Sequence, residues 1–431
     1  MNVRITPRRF TGTFKIPASK SHTIRQLLIA SLADGESVIK YPLDSLDTRS
    51  CLYACKAFGA EIAEQGNGEK ISWKIRGNGG LKKELGPHTV IDVGNSGTTL
   101  YLALAVAGLQ QKPIEFTGDE QIQKRSAALL LDALAGLGVN SKSNNGCAPI
   151  TINGPWKGGK VSLPCPTSQY LSALLITAPL APAGIVTEVE VPLLNEKPYI
   201  EMTLSYLKAH GIQYATLPDF SFFSIPGGSC WKAFSSSVPG DFSSAAFPAA
   251  AAAITGGSVT LLGLDPQDTQ GDKYFFEILE KMGCNVQYND NGENGRSITV
   301  SRGGSLRGGT FDLNKTPDLL PAAAVTAAFA DGDTTLVNVA HARIKETDRI
   351  TVMTKELAKL GVRCTELPDG LIIHGKGGLS VKEIPVIDGH NDHRIVMSFA
   401  VAALGSPVPV EITTAECAAV TYPGFIDNII G

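Results

Sequence analysis

Positive charge is not in excess in this sequence: 38 Lys and Arg stand against 41 Asp and Glu, for a net charge of -3. A general nucleic-acid binder would carry a basic surplus, so any anion site here must be a local concentration of cations. No apolar run approaches the length of a membrane span. The start, Met1-Asn2-Val3-Arg4, lacks the apolar core of a secretory signal. Both absences predict a cytoplasmic protein with no membrane partner. The eight cysteines, at 51, 55, 147, 165, 230, 284, 364 and 417, are scattered as reduced thiols would be. Cys51 and Cys55 lie four apart on a predicted helix but have no matching Cys/His pair. They read as small buried hydrophobes rather than metal ligands. His390 and His393 likewise lack a carboxylate–His partner set, and fit helix capping or anion contact better than a metal. There is no Gly-x-x-x-x-Gly-Lys-Ser/Thr run and no Gly-x-Gly-x-x-Gly, which disfavours P-loop nucleotides and Rossmann cofactors.

What the chain does have is a repeat. Its 431 residues suit two or three domains, and its 43% hydrophobic and 18% charged content is that of a globular protein. Small-residue apolar helices are predicted at Ser21–Leu32, Thr98–Ala107, Ser168–Leu180, Ser243–Ile254, Leu319–Ala330 and Asp392–Leu404. Each ends at or near a glycine: 35, 108, 184, 256, 332 and 405, at intervals of 73, 76, 72, 76 and 73. A second series of polar-faced helices stops at Gly59, Gly138, Gly211, Gly283 and Gly361, where glycine can take the left-handed conformation at C′. Six α/β units result, each with one buried helix, one half-exposed helix, and strands between and after them. Helices apolar on nearly all sides belong inside a core, and three per domain is the economical packing. The sixth unit is short, and the strand-like segment Val3–Ile16 can supply its missing strands. The chain then crosses near Pro17–Ser19 and again near Val238–Asp241, dividing it into residues 1–18 plus 241–431 and residues 19–240, with a hinge at the paired crossings.

The densest cluster of chemistry is Ile344-Lys345-Glu346-Thr347-Asp348-Arg349, at the start of the amphipathic run Ile350–Leu360. Lys20, Arg25, Arg125 and Arg394 also lie at or near the starts of apolar runs. The buried helices begin with short polar side chains: Lys20-Ser21-His22-Thr23, Asn95-Ser96-Gly97-Thr98-Thr99, Pro166-Thr167-Ser168-Gln169, Asp241-Phe242-Ser243-Ser244, Thr316-Pro317-Asp318 and His390-Asn391-Asp392-His393-Arg394. Such residues are ordinary N-caps, the reading that fits Ser243 and Ser244. Gathered with cations, the positive ends of helix dipoles also make a site for multiply anionic small molecules.

These motifs carry a resemblance. Pro17-Ala18-Ser19-Lys20-Ser21 with Arg25, Gly94-Asn95-Ser96-Gly97-Thr98, Ser168-Gln169-Tyr170, Lys197-Pro198-Tyr199, Arg343 to Arg349 and Asn391-Asp392-His393-Arg394 resemble, in order, the signature set of the 5-enolpyruvylshikimate-3-phosphate synthase family. The resemblance implies an α/β fold of two domains with three βαβαββ repeats each, buried parallel helices and a hinge of two crossings. It implies a monomeric transferase of the shikimate pathway, with no metal or organic cofactor and with phosphoenolpyruvate and shikimate 3-phosphate as its small-molecule partners. Addition of the 5-hydroxyl to C2 of phosphoenolpyruvate, through a tetrahedral intermediate, releases phosphate. Carried over by motif, Ser21, Arg25, Asn95, Thr167, Ser168, Gln169, Tyr199, His341 and Lys345 fall among the substrate-binding positions, mostly those for shikimate 3-phosphate. Arg125, Arg349 and Arg394 would hold phosphoenolpyruvate, with the Gly97 backbone close by and Lys20 touching both substrates. Asp318 would accept the hydroxyl proton and Glu346 would protonate the methylene. Glu346 lies between Lys345 and Arg349, which makes it a poor acid until bound phosphates and closure offset the cations.

Four positions depart from the family pattern. Tyr101 replaces an arginine, Glu196 a small residue that is usually serine, His341 a common asparagine, and Val420 a lysine. Two lost cations and one gained anion predict weak phosphoenolpyruvate binding, since losing one partner of a buried charged hydrogen bond costs roughly 2–5 kcal/mol. The alternatives are the same chemistry on a UDP-sugar acceptor, whose family usually has a Cys or Asp shortly before the arginine matching Arg125, and an anion-binding homologue with weak catalysis.

Overall fold

A computed structural model describes residues 1–67, 71–81, 85–86, 89–291 and 295–430. Its helices are α1 (Lys20–Leu32), α2 (Leu46–Ala57), α3 (Gly97–Ala107), α4 (Ala128–Gly136), α5 (Gln169–Thr177), α6 (Lys197–His210), α7 (Phe242–Thr255), α8 (Tyr274–Lys281), α9 (Leu320–Ala327), α10 (Arg349–Lys359), α11 (His393–Leu404) and α12 (Phe425–Ile430). Odd-numbered helices are the apolar series. In α7 every residue from Phe242 to Ile254 is buried, and α3, α9 and α11 are buried throughout. Alanine has the best helix propensity and lets such helices approach closely. The polar-faced series ends as its glycines require, with φ of 91° at Gly59, 91° at Gly138, 71° at Gly211, 103° at Gly283 and 75° at Gly361. A side chain at these angles would be strained.

Two apolar runs are shorter than their hydrophobicity predicts. Ser168–Leu180 gives α5 to Thr177 and then a 3-10 turn, Ala178–Leu180, because Pro179 has no N–H to donate and disfavours helical geometry before it. Leu319–Ala330 begins as a 3-10 turn, Pro317–Leu319, ahead of α9. That turn carries Asp318.

The chain divides into two compact units: a discontinuous one, Met1–Pro17 with Pro239–Gly431, and a continuous one, Ala18–Val238. Among the described residues, each has its own core of buried apolar side chains and three sheets. Five of the six sheets have four strands in one pattern. In the sheet of α1 and α2, Ser235–Ser237 lies parallel to Glu36–Lys40, which pairs antiparallel with Ser72–Arg76, which pairs antiparallel with Glu61–Gln65. Alternation along Glu36–Lys40 buries Ile39, and Ser72–Arg76 buries Trp73 and Ile75, as a sheet with one covered face requires.

The segment Val3–Ile16, expected as one strand-like stretch, is two strands in different sheets. Pro7 lies in the break between Val3–Ile5 and Gly12–Lys15. Val3–Ile5 pairs with Val410–Ile412 and completes the three-stranded sheet of the sixth unit. Gly12–Lys15 pairs with Ser258–Leu262, the strand after α7. The strand that precedes α1 in sequence thus belongs to the sheet of α7, and Ser235–Ser237, which precedes α7, belongs to the sheet of α1. No helix among the described residues is long and apolar enough to cross a membrane.

Candidate active site

In the continuous unit the first residues of α1 set out two cations. Lys20 pairs with Asp47 of α2 at 3.0 Å. Arg25, one turn further on, is 1% exposed. It donates from Nε to Thr203 Oγ1 at 2.9 Å, to the Ser21 carbonyl at 3.1 Å, to Ser172 Oγ at 3.2 Å and to the Tyr199 carbonyl at 3.4 Å. Its guanidinium carbon also lies 5.9 Å from the centre of the Tyr199 ring. All these partners are neutral. Burial pulls the guanidinium down to about 10, and the charge of Glu196 is among the influences that oppose this. Arg25 remains a cation at neutral pH, desolvated and hydrogen-bonded only to uncharged groups, a condition that favours a nearby anion.

The start of α5 already has one. Glu196 Oε2 accepts from Ser168 Oγ at 2.8 Å, the Ser168 N–H at 3.0 Å and Thr167 Oγ1 at 3.2 Å. Ser168 therefore does not cap its own helix, and the capping acceptor arrives from a residue 28 positions away. The Gln169 N–H bonds to Thr167 Oγ1 at 3.4 Å. At α3, Ser96 accepts from the Thr99 N–H. Asn95 donates to Asp119 at 2.6 Å and to Gln121 at 2.7 Å, while its carbonyl accepts from Arg125 at 3.4 Å. A Cβ on Gly97 would lie 2.6 Å from Arg125 Nη1, so the guanidinium rests against bare backbone. Tyr101, in place of the family's arginine, is buried edge-on to Tyr170 at 5.0 Å, and both hydroxyls donate to the Ser126 carbonyl, at 3.3 and 2.7 Å. This aromatic pair fixes the backbone next to Arg125.

In the discontinuous unit the charge cluster closes around Arg349. This residue, wholly buried, donates from Nη1 to Asp318 Oδ1 at 2.8 Å, from Nη2 to Glu346 Oε2 at 2.7 Å, and from Nε and Nη2 to Asp392 at 2.9 and 3.1 Å. Four of its five N–H groups are therefore spent on carboxylates. The other Asp318 oxygen accepts from Arg394 Nη2 at 2.9 Å. Burial alone would raise Asp318, but Arg394, Lys345 and Arg349 outweigh it and hold the group well below the carboxylate range. Asp392, fully buried where Asp318 is partly exposed, is held low chiefly by Arg349 against its own burial. It also caps α11 by accepting from the Arg394 N–H, and takes the Thr347 hydroxyl. His341 is buried in the 3-10 turn Ala340–Ile344 just before Lys345, and Val420 ends the 3-10 turn Ala415–Val420.

The structure thus gathers Lys20, Ser21, Arg25, Thr167, Ser168, Gln169 and Tyr199 around the starts of α1, α5 and α6. Asn95, Gly97 and Arg125 meet at α3, and Asp318, Lys345, Glu346, Arg349 and Arg394 meet in the other unit. Two readings change. Ser243 and Ser244 are not the caps of α7: Asp241 is, accepting from the Ser244 N–H and hydroxyl, while Ser243 bonds Asp272. Glu196, expected only as one more anion near the site, lies on Thr167 and Ser168. Sequence reasoning also missed Asp47 and Asp272, which lie inside amphipathic stretches with no motif around them. Asp392 has a structural role that nothing in the run Asn391-Asp392-His393-Arg394 sets apart from its neighbours.

The fold is that of a known class of transferase. A solved EPSP synthase from Acinetobacter baumannii matches with a TM-score of 0.80 at 29% identity, over 99% of this chain and 97% of that one. A second solved EPSP synthase from the same organism gives 0.79 at 28% identity. The family model for EPSP synthase (3-phosphoshikimate 1-carboxyvinyltransferase) matches residues 5–429. Curated relatives named 3-phosphoshikimate 1-carboxyvinyltransferase are 45% identical in Ruminiclostridium cellulolyticum, over 100% of this chain and 98% of the relative, and 44% identical in Acetivibrio thermocellus, over 99% and 97%. The chain belongs to the EPSP synthase family.

Proposed function

We propose that the protein transfers the enolpyruvyl group of phosphoenolpyruvate to the 5-hydroxyl of shikimate 3-phosphate and releases inorganic phosphate. Full-length identity with relatives named for this reaction supports the reading over a UDP-sugar acceptor. The observation that carries it is the Asp318–Arg349–Glu346 constellation, with Arg394 on the second Asp318 oxygen.

The acceptor hydroxyl loses its proton to Asp318 as its oxygen bonds C2 of phosphoenolpyruvate. Glu346 delivers a proton to C3, giving a methyl group and a tetrahedral centre. The C2–O bond to phosphate then breaks as the Glu346 carboxylate takes back a methyl proton, and the enol ether forms. Asp318, paired to two arginines, is ionised but a weak base, and Glu346 is paired with Arg349. Both roles need those cations drawn elsewhere. Phosphoenolpyruvate, with a phosphate and a carboxylate, supplies the competing anions for Arg394 and Arg349, which strengthens Asp318 as an acceptor and favours a proton on Glu346. Arg125 beside Gly97 would hold the same substrate. Lys20, Ser21, Arg25, Thr167, Ser168, Gln169, Tyr199 and Lys345 would hold the acceptor, and Asn95 and His341 would position their neighbours. The protein acts on small molecules as a monomer in the cytoplasm.

Phosphate release is the test. Purified protein should liberate phosphate only when both substrates are present, and release from phosphoenolpyruvate alone would exclude the reaction. Glu346→Gln should lose on the order of 10²-fold or more in turnover; near-normal turnover across the pH–rate profile would remove Glu346 from its role. Val420→Lys, which restores a cation the family usually has, should lower the Michaelis constant for phosphoenolpyruvate, and an unchanged constant would show that the loss at Val420 is immaterial.

A further inference from the structure

Glu196 is a carboxylate in a place built for something else. It is 2% exposed, and its backbone is left-handed, with φ of 58°, a region that non-glycine residues rarely enter. From there its Oε2 takes two hydroxyls and a helix-start N–H from Thr167 and Ser168. Hydroxyls, a helix N-terminus and a desolvated guanidinium are together the donors that recognise a phosphate. Arg25, 1% exposed and bonded only to neutral atoms, supplies the guanidinium.

We propose that the Glu196 carboxylate occupies the seat of the acceptor's phosphate, as an internal anion that must give up Thr167 and Ser168 before the acceptor binds. Each hydroxyl has one proton, and the Ser168 amide has one as well. A phosphate cannot take these three donors while Glu196 keeps them, and two anions cannot share them without repulsion. Glu196 therefore competes with substrate from within the chain, and acceptor affinity falls by the fraction of protein in which the seat is open. The competition is directed at the phosphate group and leaves the rest of the acceptor untouched.

This inference rests on the proposed reaction, so wild-type protein is first assayed for phosphate release from both substrates. Calorimetry then compares wild type, Glu196→Gln, Glu196→Ser and Glu196→Asp, each confirmed folded by its thermal transition, for binding of shikimate 3-phosphate and of shikimate. Removing the charge, in Gln and Ser alike, should tighten shikimate 3-phosphate about tenfold or more and leave shikimate unmoved. Asp, which keeps the charge, should stay nearer wild type. A wild type that turns over, with Gln and Ser variants that bind shikimate 3-phosphate no tighter, overturns this inference and spares the reaction. Equal tightening of shikimate also overturns it, because the effect would not be on the phosphate. Wild type that neither turns over nor binds shikimate 3-phosphate overturns the reaction and this inference together.

Discussion

At the scale of single residues, buried charge sets the behaviour. Asp392 shares two hydrogen bonds with the buried Arg349, and removing one member of such a pair leaves the other uncompensated. Asp392→Ala should cost about 3–5 kcal/mol, read as a lower denaturant midpoint. A loss under 1 kcal/mol would mean that Asp318 and Glu346 suffice for Arg349. Asp272 has the opposite character. Burial, with Asp318 nearby, pushes it up to about 7, so the folded state keeps a proton that the unfolded state has released. Its contribution to stability is present below the ordinary carboxylate range and is lost as pH rises toward 7. Asp272→Asn should therefore stabilise the protein at pH 8 and do so less at pH 5. Equal shifts in melting temperature at both would refute this. Asp318 and Asp392, held low, work the other way: their stabilisation is present at neutral pH and is lost on acidification. None of this was legible in the sequence, because an Asp in an amphipathic stretch gives no sign of which distant arginine it meets. Glu196 was visible as a departure, but its partners 28 and 29 residues away were not.

At the scale of elements, more could be read. The glycine intervals located the six buried helices, because a left-handed stop after an apolar helix leaves a local mark in sequence. Strand exchange left none: Gly12–Lys15 and Ser235–Ser237 are short, mostly exposed strands, and nothing local states which sheet each joins. The proline-limited end of α5 was legible in principle from Pro179. Two outcomes belong here. Deleting residues 1–5 removes the strand that completes the sixth unit's sheet, and with it the buried side chains of Val3 and Ile5, only 9% and 1% exposed. The loss should be roughly 1.5–3 kcal/mol for each side chain, seen as a lower melting temperature. An unchanged melting temperature would show that Val410–Ile412 tolerates an open edge. At the start of α3, Gly97→Ala must push the Arg125 guanidinium aside. It should raise the Michaelis constant for phosphoenolpyruvate at least tenfold, the equivalent of about 1.4 kcal/mol, and leave that for shikimate 3-phosphate nearly unchanged. Equal effects on both would contradict the separate assignment of α3 and α5.

At the scale of the whole molecule, several of the site's cations are already paired with carboxylates before any substrate arrives. Lys20 has Asp47, Arg394 has Asp318, and Arg349 has three carboxylates. With such pairing, the proposed reaction would have substrates bind by exchanging partners at prearranged donors. Under the proposed reaction, the same exchange would turn Asp318 and Glu346 from ion-pair members into a base and an acid. Turnover in D2O tests this account most directly, with the product followed by proton NMR and mass spectrometry. Protonation of C3 followed by loss of a methyl proton predicts the enolpyruvyl ether of shikimate 3-phosphate with deuterium in its methylene group, formed together with phosphate. Phosphate without that ether, or an ether whose methylene carries no deuterium, would contradict it.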